Sequence, residues 1–304
     1  MSLALDLTRQ RGGDWRGDAG FIPTPGHSPR DRGTVIRNRA DGCGVLIYSF
    51  NADWRDVRDA LGLTAEQAAP MTADARRKLQ ADMVKARAER EGQQLARCTD
   101  LAQGGVRPEP GSAVWSYLAS RGIPAAFIAR AVNTGALLEH RDEQGRVSML
   151  ALAHNRNDAL RGVQMTKLRA DGGGKRGTNC DRLTFGPYKG SACRLFKTPG
   201  DVLAVAEGTE TALAFSVLRR IPCWSTYGTR NLAAFDPPAG VRTLIIAADG
   251  DRADPDKPCE FKGLDAADAL FDRLKRRLRV VIAAAPDGLD WCDVLNQGGA
   301  HVAR

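Results

Sequence analysis

The chain has 304 residues, 43% hydrophobic and 26% charged with a net charge of +8, long enough to bury a sizeable core in two or three modules. No apolar run approaches the ~18 to 20 residues of a membrane span, and the opening MSLALDLTRQRGGDW has no signal-peptide core, which excludes a membrane protein and disfavours export. Seven single cysteines (Cys43, Cys98, Cys180, Cys193, Cys223, Cys259, Cys292), with no CxxC, argue against a disulfide framework and for the reducing cytoplasm.

The first stretch, to about Asp53, is rich in Gly, Pro, Asp and Arg. Two strand-like runs, 33–37 and 44–50, flank the turn-prone Asp41-Gly42, which predicts a small β module. From Trp54 the apolar spacing turns helical: Trp54, Val57 and Leu61, then Leu79, Met83 and Ala86, with Thr64 placed to cap. The segment QGGVRPEPGS, 103–112, reads as a linker or exposed loop. Two short helices, 114–118 and 124–131, follow around the turn Arg121-Gly122-Ile123-Pro124, then strands at 147–153 and 160–168. The last hundred residues alternate strand and helix: DVLAVA, 210–219, 222–227, 232–235, TLIIAA, 263–278 and RVVIAAA. Continuously apolar strands in that order predict a parallel sheet with helices on both faces.

Charge is uneven along the chain. Residues 101–200 hold 15 Lys and Arg against 7 Asp and Glu, whereas residues 201–304 hold 13 against 15. From Arg156 to Lys197 there are ten basic residues and three acidic ones, with only Phe185, Tyr188 and Phe196 between them. Thin aromatic interleaving favours phosphate contact over base stacking.

Glu207 directly follows DVLAVA, and Asp249 and Asp251 directly follow TLIIAA. All three therefore fall at strand carboxyl ends, the edge where ligands bind in parallel α/β sheets. Converging carboxylates repel one another unless a divalent cation neutralises them, and hard oxygen ligands suit Mg²⁺ or Mn²⁺. A metal-assisted phosphoryl-transfer site is the leading expectation. Either motif alone reads equally as a helix cap or an ordinary turn.

These residues resemble the Toprim domain shared by topoisomerases and bacterial-type primases, whose signature is Glu-Gly after one strand and Asp-x-Asp after another, here Glu207-Gly208 and Asp249-Gly250-Asp251. The segments VAEGTETALAF, Tyr227-Gly228-Thr229, ADGDRA and APDGLDWCDVLNQGG resemble primase segments in the same order, most nearly those of plasmid, phage and integrated-element primases. The resemblance implies α/β architecture with a Toprim domain at 200–304, a basic α+β part of a primase core at 112–199, a helical connector and linker at 64–111, and a zinc-finger-like β module at 1–63. It implies that Glu207, Asp249 and Asp251 are catalytic and hold Mg²⁺ or Mn²⁺, with Asp290 and Asp293 supporting a second metal, while nucleoside triphosphates are joined on single-stranded DNA. Glu210 is either a site residue or a solvated helix residue, and Asp290 and Asp293 could equally be a helix N-cap. Lys175, Arg176, Arg182, Lys189 and Lys197 are the candidates for template or triphosphate contact.

The N-terminus departs from the family pattern. Around Pro25-Gly26-His27-Ser28-Pro29 the frame of a zinc finger persists, but Ile22, Ser49 and Ala52 stand about where cysteines belong, so no zinc is expected. Arg30, Arg32, Arg37 and Arg39 remain as candidates for DNA contact there. No GxxxxGK[ST] occurs, so unwinding is expected from a separate replicative helicase. The alternatives are a Toprim nuclease using the same carboxylates and a non-catalytic DNA-binding replication accessory. A topoisomerase fits less well, because none of Tyr48, Tyr117, Tyr188 and Tyr227 has an evident supporting domain.

Overall fold

The computed structural model describes residues 2–197, 200–251 and 262–298. Arg252 and Ala253 of ADGDRA, Cys259, and Gly299 at the end of APDGLDWCDVLNQGG lie outside the described residues. The chain falls into two compact units, residues 1–88 and 89–304.

In the first unit, α1 (Leu3–Gln10) precedes β1 (Asp14–Arg16), β2 (Ala19–Ile22), β3 (Thr34–Asn38) and β4 (Val45–Ser49). After them come α2 (Trp54–Ala60), β5 (Ala68–Pro70) and the start of α3 (Ala73–Gln103). The strands form one sheet in sequence order, antiparallel from β1 to β4 and parallel between β4 and β5. Strand alternation sorts the core: Ile22, Ile36, Val45 and Ile47 pack on Ala4, Leu7 and Val57, whereas Phe21, Val35, Met71 and Leu79 form a second cluster. The two expected strands are β3 and β4. Sequence reading passes over α1, whose Ser2 side chain accepts from Leu5 N. It also overrates the stripe on α3: Leu79 is buried, but Met83 is 39% exposed and Ala86 only half-buried.

Of the arginines in this unit, Arg32 bonds to Asp14 and to the carbonyls of Gly12, Pro29 and Asp31. Arg37 pairs with Asp18, and Arg39 with Asp41. Arg30, His27 and Cys43 are exposed.

The second unit begins within α3, whose Cys98 packs under Leu150, Leu152 and Val163. Then come α4 (Ala113–Ser120), α5 (Ala125–Val132), β6 (Leu137–Arg141), β7 (Val147–His154), β8 (Leu160–Lys167), β9 (Arg182–Phe185) and β10 (Ala192–Cys193). The alternating region follows as β11 (Val202–Ala206), α6 (Thr209–Arg219), β12 (Cys223–Ser225), α7 (Thr229–Ala234), β13 (Thr243–Ala248), α8 (Gly263–Leu274), β14 (Arg279–Ala284) and α9 (Trp291–Asn296). All these strands join one nine-stranded sheet, ordered β14-β13-β11-β12-β10-β7-β8-β9, with β6 also paired to β7. The β14, β13, β11 and β12 strands are mutually parallel. The two-residue β10 is antiparallel to both β12 and β7, and so welds the basic antiparallel region to the parallel one.

Helices cover both faces. Leu213, Phe215, Trp291 and Val294 of α6 and α9 lie in one cluster with Tyr117 of α4 and Ile128 of α5, while Leu232, Ala267 and Leu270 of α7 and α8 lie in the other. Among the described residues no helix is long and apolar enough to cross a membrane.

Candidate active site

Glu207 and Asp249 stand at the ends of the neighbouring strands β11 and β13, which pair in register from Val202↔Thr243 to Ala206↔Ala247. The backbone holds both ends firmly. Tyr227 N donates to Glu207 O at 2.8 Å, and Gly250 N donates to Leu289 O at 2.9 Å. Gly250 is required by space: a Cβ there would come within 2.0 Å of Pro286 O. Asp251 turns toward α8, its Oδ1 accepting from Gly263 N at 3.0 Å, so it supplies a negative charge at a helix N-terminus.

Asp290 and Asp293 form a reciprocal capping box on α9: Asp293 N donates to Asp290 Oδ1 at 2.8 Å, and Asp290 N donates to Asp293 Oδ2 at 3.1 Å. The N-cap reading of this pair is thus realised, and yet both carboxylates lie within the field of Asp249. Burial, then the charges of Glu207, Asp290, Asp251 and Asp293, push the Asp249 carboxyl up to about 7. Burial and Asp251 also raise Glu207, against the opposing pull of Arg182.

Asp249 Oδ1 is buried and has no hydrogen-bond partner among the described residues. Such an orphaned oxygen amid like charges fits a hard divalent cation, whose preferred ligands are carboxylate oxygens. No three His, Cys, Asp or Glu side chains among the described residues stand as a ready ligand group. The carboxylates whose charge reaches Asp249 are Glu207, Asp290, Asp251 and Asp293.

The basic candidates divide. Arg182, from β9, donates to Glu210 Oε1 at 2.7 Å, and its guanidinium lies in the field of Glu207. Lys175 joins them: burial and the charges of Arg182 and Arg121 depress its ammonium pKa. Arg176 instead donates to Val147 O at 2.6 Å and Leu168 O at 3.3 Å, tying down a strand edge. Lys189 and Lys197 are exposed on either side of β10.

Sequence reading passes over two residues at this rim, Tyr117 and Arg121, at the end of α4. Tyr117 Oη donates to Glu210 Oε1 at 2.5 Å. Arg121 lies in the field of Tyr117, Glu210 and Asp290. Their only signal is a polar tip on an otherwise apolar helix, which any half-buried helix shows.

Residues 202–301 match the model of the Toprim domain, and residues 92–195 match a model described as a domain of unknown function (DUF7146). No curated protein matches the sequence. Among solved structures the chain is similar to the primase fragment of the bacteriophage T7 primase-helicase protein, at 18% identity and TM-score 0.42 over 60% of this chain and 70% of that one. It is similar also to the E. coli primase catalytic core, at 16% identity and TM-score 0.40 over 68% and 74% of the two chains. A DnaG primase catalytic domain bound to single-stranded DNA gives 15% identity and TM-score 0.41 over 70% and 78%. With each TM-score below 0.5, the architecture rests on the strand order and the domain match. That match, falling on the parallel sheet with Glu207 and Asp249 at its carboxyl edge, makes residues 202–301 a Toprim domain.

Proposed function

We propose that this chain is a primase-like nucleotidyltransferase that joins nucleoside triphosphates on a single-stranded DNA template. The observation that carries the reading is Asp249, whose buried Oδ1 has no partner among the described residues and whose carboxyl feels four other carboxylates, set within a Toprim domain whose Glu207 lies in the field of Arg182. The ordered primase-like segments of the sequence support the choice of reaction.

Glu207, Asp249 and Asp251 would hold the divalent cation, Mg²⁺ or Mn²⁺, and Asp290 and Asp293 would support a second one. When bound, the cation acidifies an attacking hydroxyl and offsets charge on the phosphate oxygens. The 3′-oxygen attacks the α-phosphorus, the bond to the β-phosphate oxygen breaks, and pyrophosphate leaves. Glu207 accepts the hydroxyl proton or orients the attacking hydroxyl. Arg182 and Lys175 donate to phosphate oxygens from the rim. Strand separation falls to a separate helicase, and a plasmid, phage or integrated element is the replicon such an enzyme would serve.

The test is incorporation of labelled ribonucleotides on a single-stranded template with Mg²⁺ or Mn²⁺, comparing the wild type with Asp249→Asn. Short products from the wild type, reduced at least ~10³-fold in the variant, are expected where a group supporting the transition state is removed. Normal synthesis by Asp249→Asn would refute the site. Nicked template with no incorporation would replace synthesis by hydrolysis at the same carboxylates, and template binding without either would leave the accessory role.

A further inference from the structure

Glu210 sits on the second residue of α6, where sequence pattern leaves a solvated position open, yet it is only 4% exposed. Its Oε1 accepts two hydrogen bonds, from Tyr117 Oη at 2.5 Å and from Arg182 Nη2 at 2.7 Å. Its Oε2 is buried with no partner among the described residues. Three elements distant in sequence, α4, β9 and α6, therefore meet on one carboxylate oxygen.

Taking a carboxylate out of water is expensive, and an apolar residue of similar volume often serves stability as well or better. Burial works against the Glu210 charge, but the Arg182 charge and the Tyr117 hydrogen bond outweigh it and hold the carboxyl down at about 2. What this arrangement yields lies at the far side of Arg182. That side chain is 42% exposed, and its guanidinium is anchored through Nη2, its one hydrogen bond among the described residues. An unanchored arginine would spend about 2 kcal/mol of rotamer freedom on meeting a ligand. Lys175 and Arg121 share the same field, and Glu210 is the negative charge that lets three cations stand together.

We propose that Glu210 is a positioning residue which, with Tyr117 as its second anchor, fixes the Arg182 guanidinium beside the carboxylate site in the orientation that meets a phosphate-bearing ligand. The inference deepens the nucleotidyltransferase reading and rests on its assignment of Arg182 to phosphate contact. It adds that Glu210 acts only through Arg182, and this can be read without turnover.

The experiment measures equilibrium binding of inorganic tripolyphosphate and of a nucleoside triphosphate to the full chain by calorimetry, below the melting temperature of every variant. The variants are Glu210→Gln, Arg182→Ala, the pair together, and Tyr117→Phe. Glu210→Gln and Arg182→Ala are each expected to weaken binding about tenfold, and the pair no more than Arg182→Ala alone. Tyr117→Phe, which leaves the Glu210 to Arg182 bond in place, is expected to lower the melting temperature while weakening binding about twofold.

A merely structural role for Glu210 would move the melting temperature and leave binding alone, or give losses that multiply in the pair. Either result overturns the proposal, as does a wild type that binds neither probe. Where Glu210→Gln does not fold, the same cycle of Tyr117→Phe with Arg182→Ala decides, the Tyr117→Phe effect being expected to vanish once Arg182 is gone. Absence of primer synthesis alongside intact coupling would sink the polymerisation reading and leave this one standing.

Discussion

Asp249 gathers the electrostatic strain of the site in one side chain. Its carboxyl stands near 7 in the folded chain against 3.8 for the ordinary group. The sign follows from linkage: a folded pKa above the unfolded one favours folding fully below 3.8, and that contribution is lost as pH rises toward and through 7. Asp249→Asn removes the charge without changing the shape. It should therefore stabilise the metal-free protein at pH 8, by about 4 kcal/mol at most, since each tenfold change in proton affinity on folding is worth ~1.4 kcal/mol. The gain should fade by pH 4. Thermal melts in EDTA at the two pH values check this, and added Mg²⁺ should raise the wild-type melting temperature but not that of the variant. An unchanged melting temperature at pH 8 would mean that Asp249 is better solvated or paired than its surroundings indicate.

At the scale of elements, the strand ends and helix starts of the parallel sheet do two jobs with the same carboxylates. Asp251 and Gly263 N join the Asp-Gly-Asp turn to the start of α8, and Asp290 and Asp293 close the start of α9. Capping and charge can be separated at Asp290. Asp290→Ala should cost about 1 kcal/mol as the cap is lost, whereas Asp290→Ser, still a good cap, should cost less than half of that. Both remove a charge that raises Asp249, so both should lower the pH at which the fall in metal-free stability levels off and make that fall smaller. Melting curves across pH 5 to 9 distinguish the two effects. Equal destabilisation by Ala and Ser would show that the charge, not the cap, is what α9 needs.

At the scale of the whole molecule, each unit closes its own core. The second contains the two large clusters flanking the nine-stranded sheet, plus the smaller one in which Cys98 covers Leu150, Leu152 and Val163. A fragment of residues 89–304 is therefore expected to melt in one cooperative transition and to keep tripolyphosphate binding. A fragment beginning at residue 105 removes the Cys98 turn of α3 and bares those three apolar side chains. It should lose roughly 3 kcal/mol or more, at about 25 cal/mol per Å² of apolar surface exposed. Calorimetric melts of both fragments test this, and a first fragment that fails to fold would mean that the sheet depends on residues 1–88.

Much of this was legible in one dimension because the signals are local. DVLAVA and TLIIAA are apolar after their first residue, as strands covered on both faces must be, so the parallel sheet and the placement of Glu207 and Asp249 at its edge follow from sequence. The Asp290 capping box is equally local, two residues three positions apart reporting on one another. A basic β region running to about Lys197 was legible, but β6 and the bounds of β9 and β10 were not, since Leu137–Arg141 and Arg182–Phe185 carry mixed polarity and Ala192–Cys193 is too short to show a period. Their strand state comes from the ladders they complete. Glu210 shows the same limit at a single residue: on a helix map it is a charged position, and only the arrival of Tyr117 from 93 residues away and Arg182 from 28 away makes burial tolerable. Sequence alone thus determined the alternating elements after residue 200, the family resemblance and the strand-end carboxylates, because backbone propensity and burial period act between near neighbours. Tertiary structure decided the union of two β regions into one sheet and the partner of each buried charge, because those depend on contacts that no local pattern encodes.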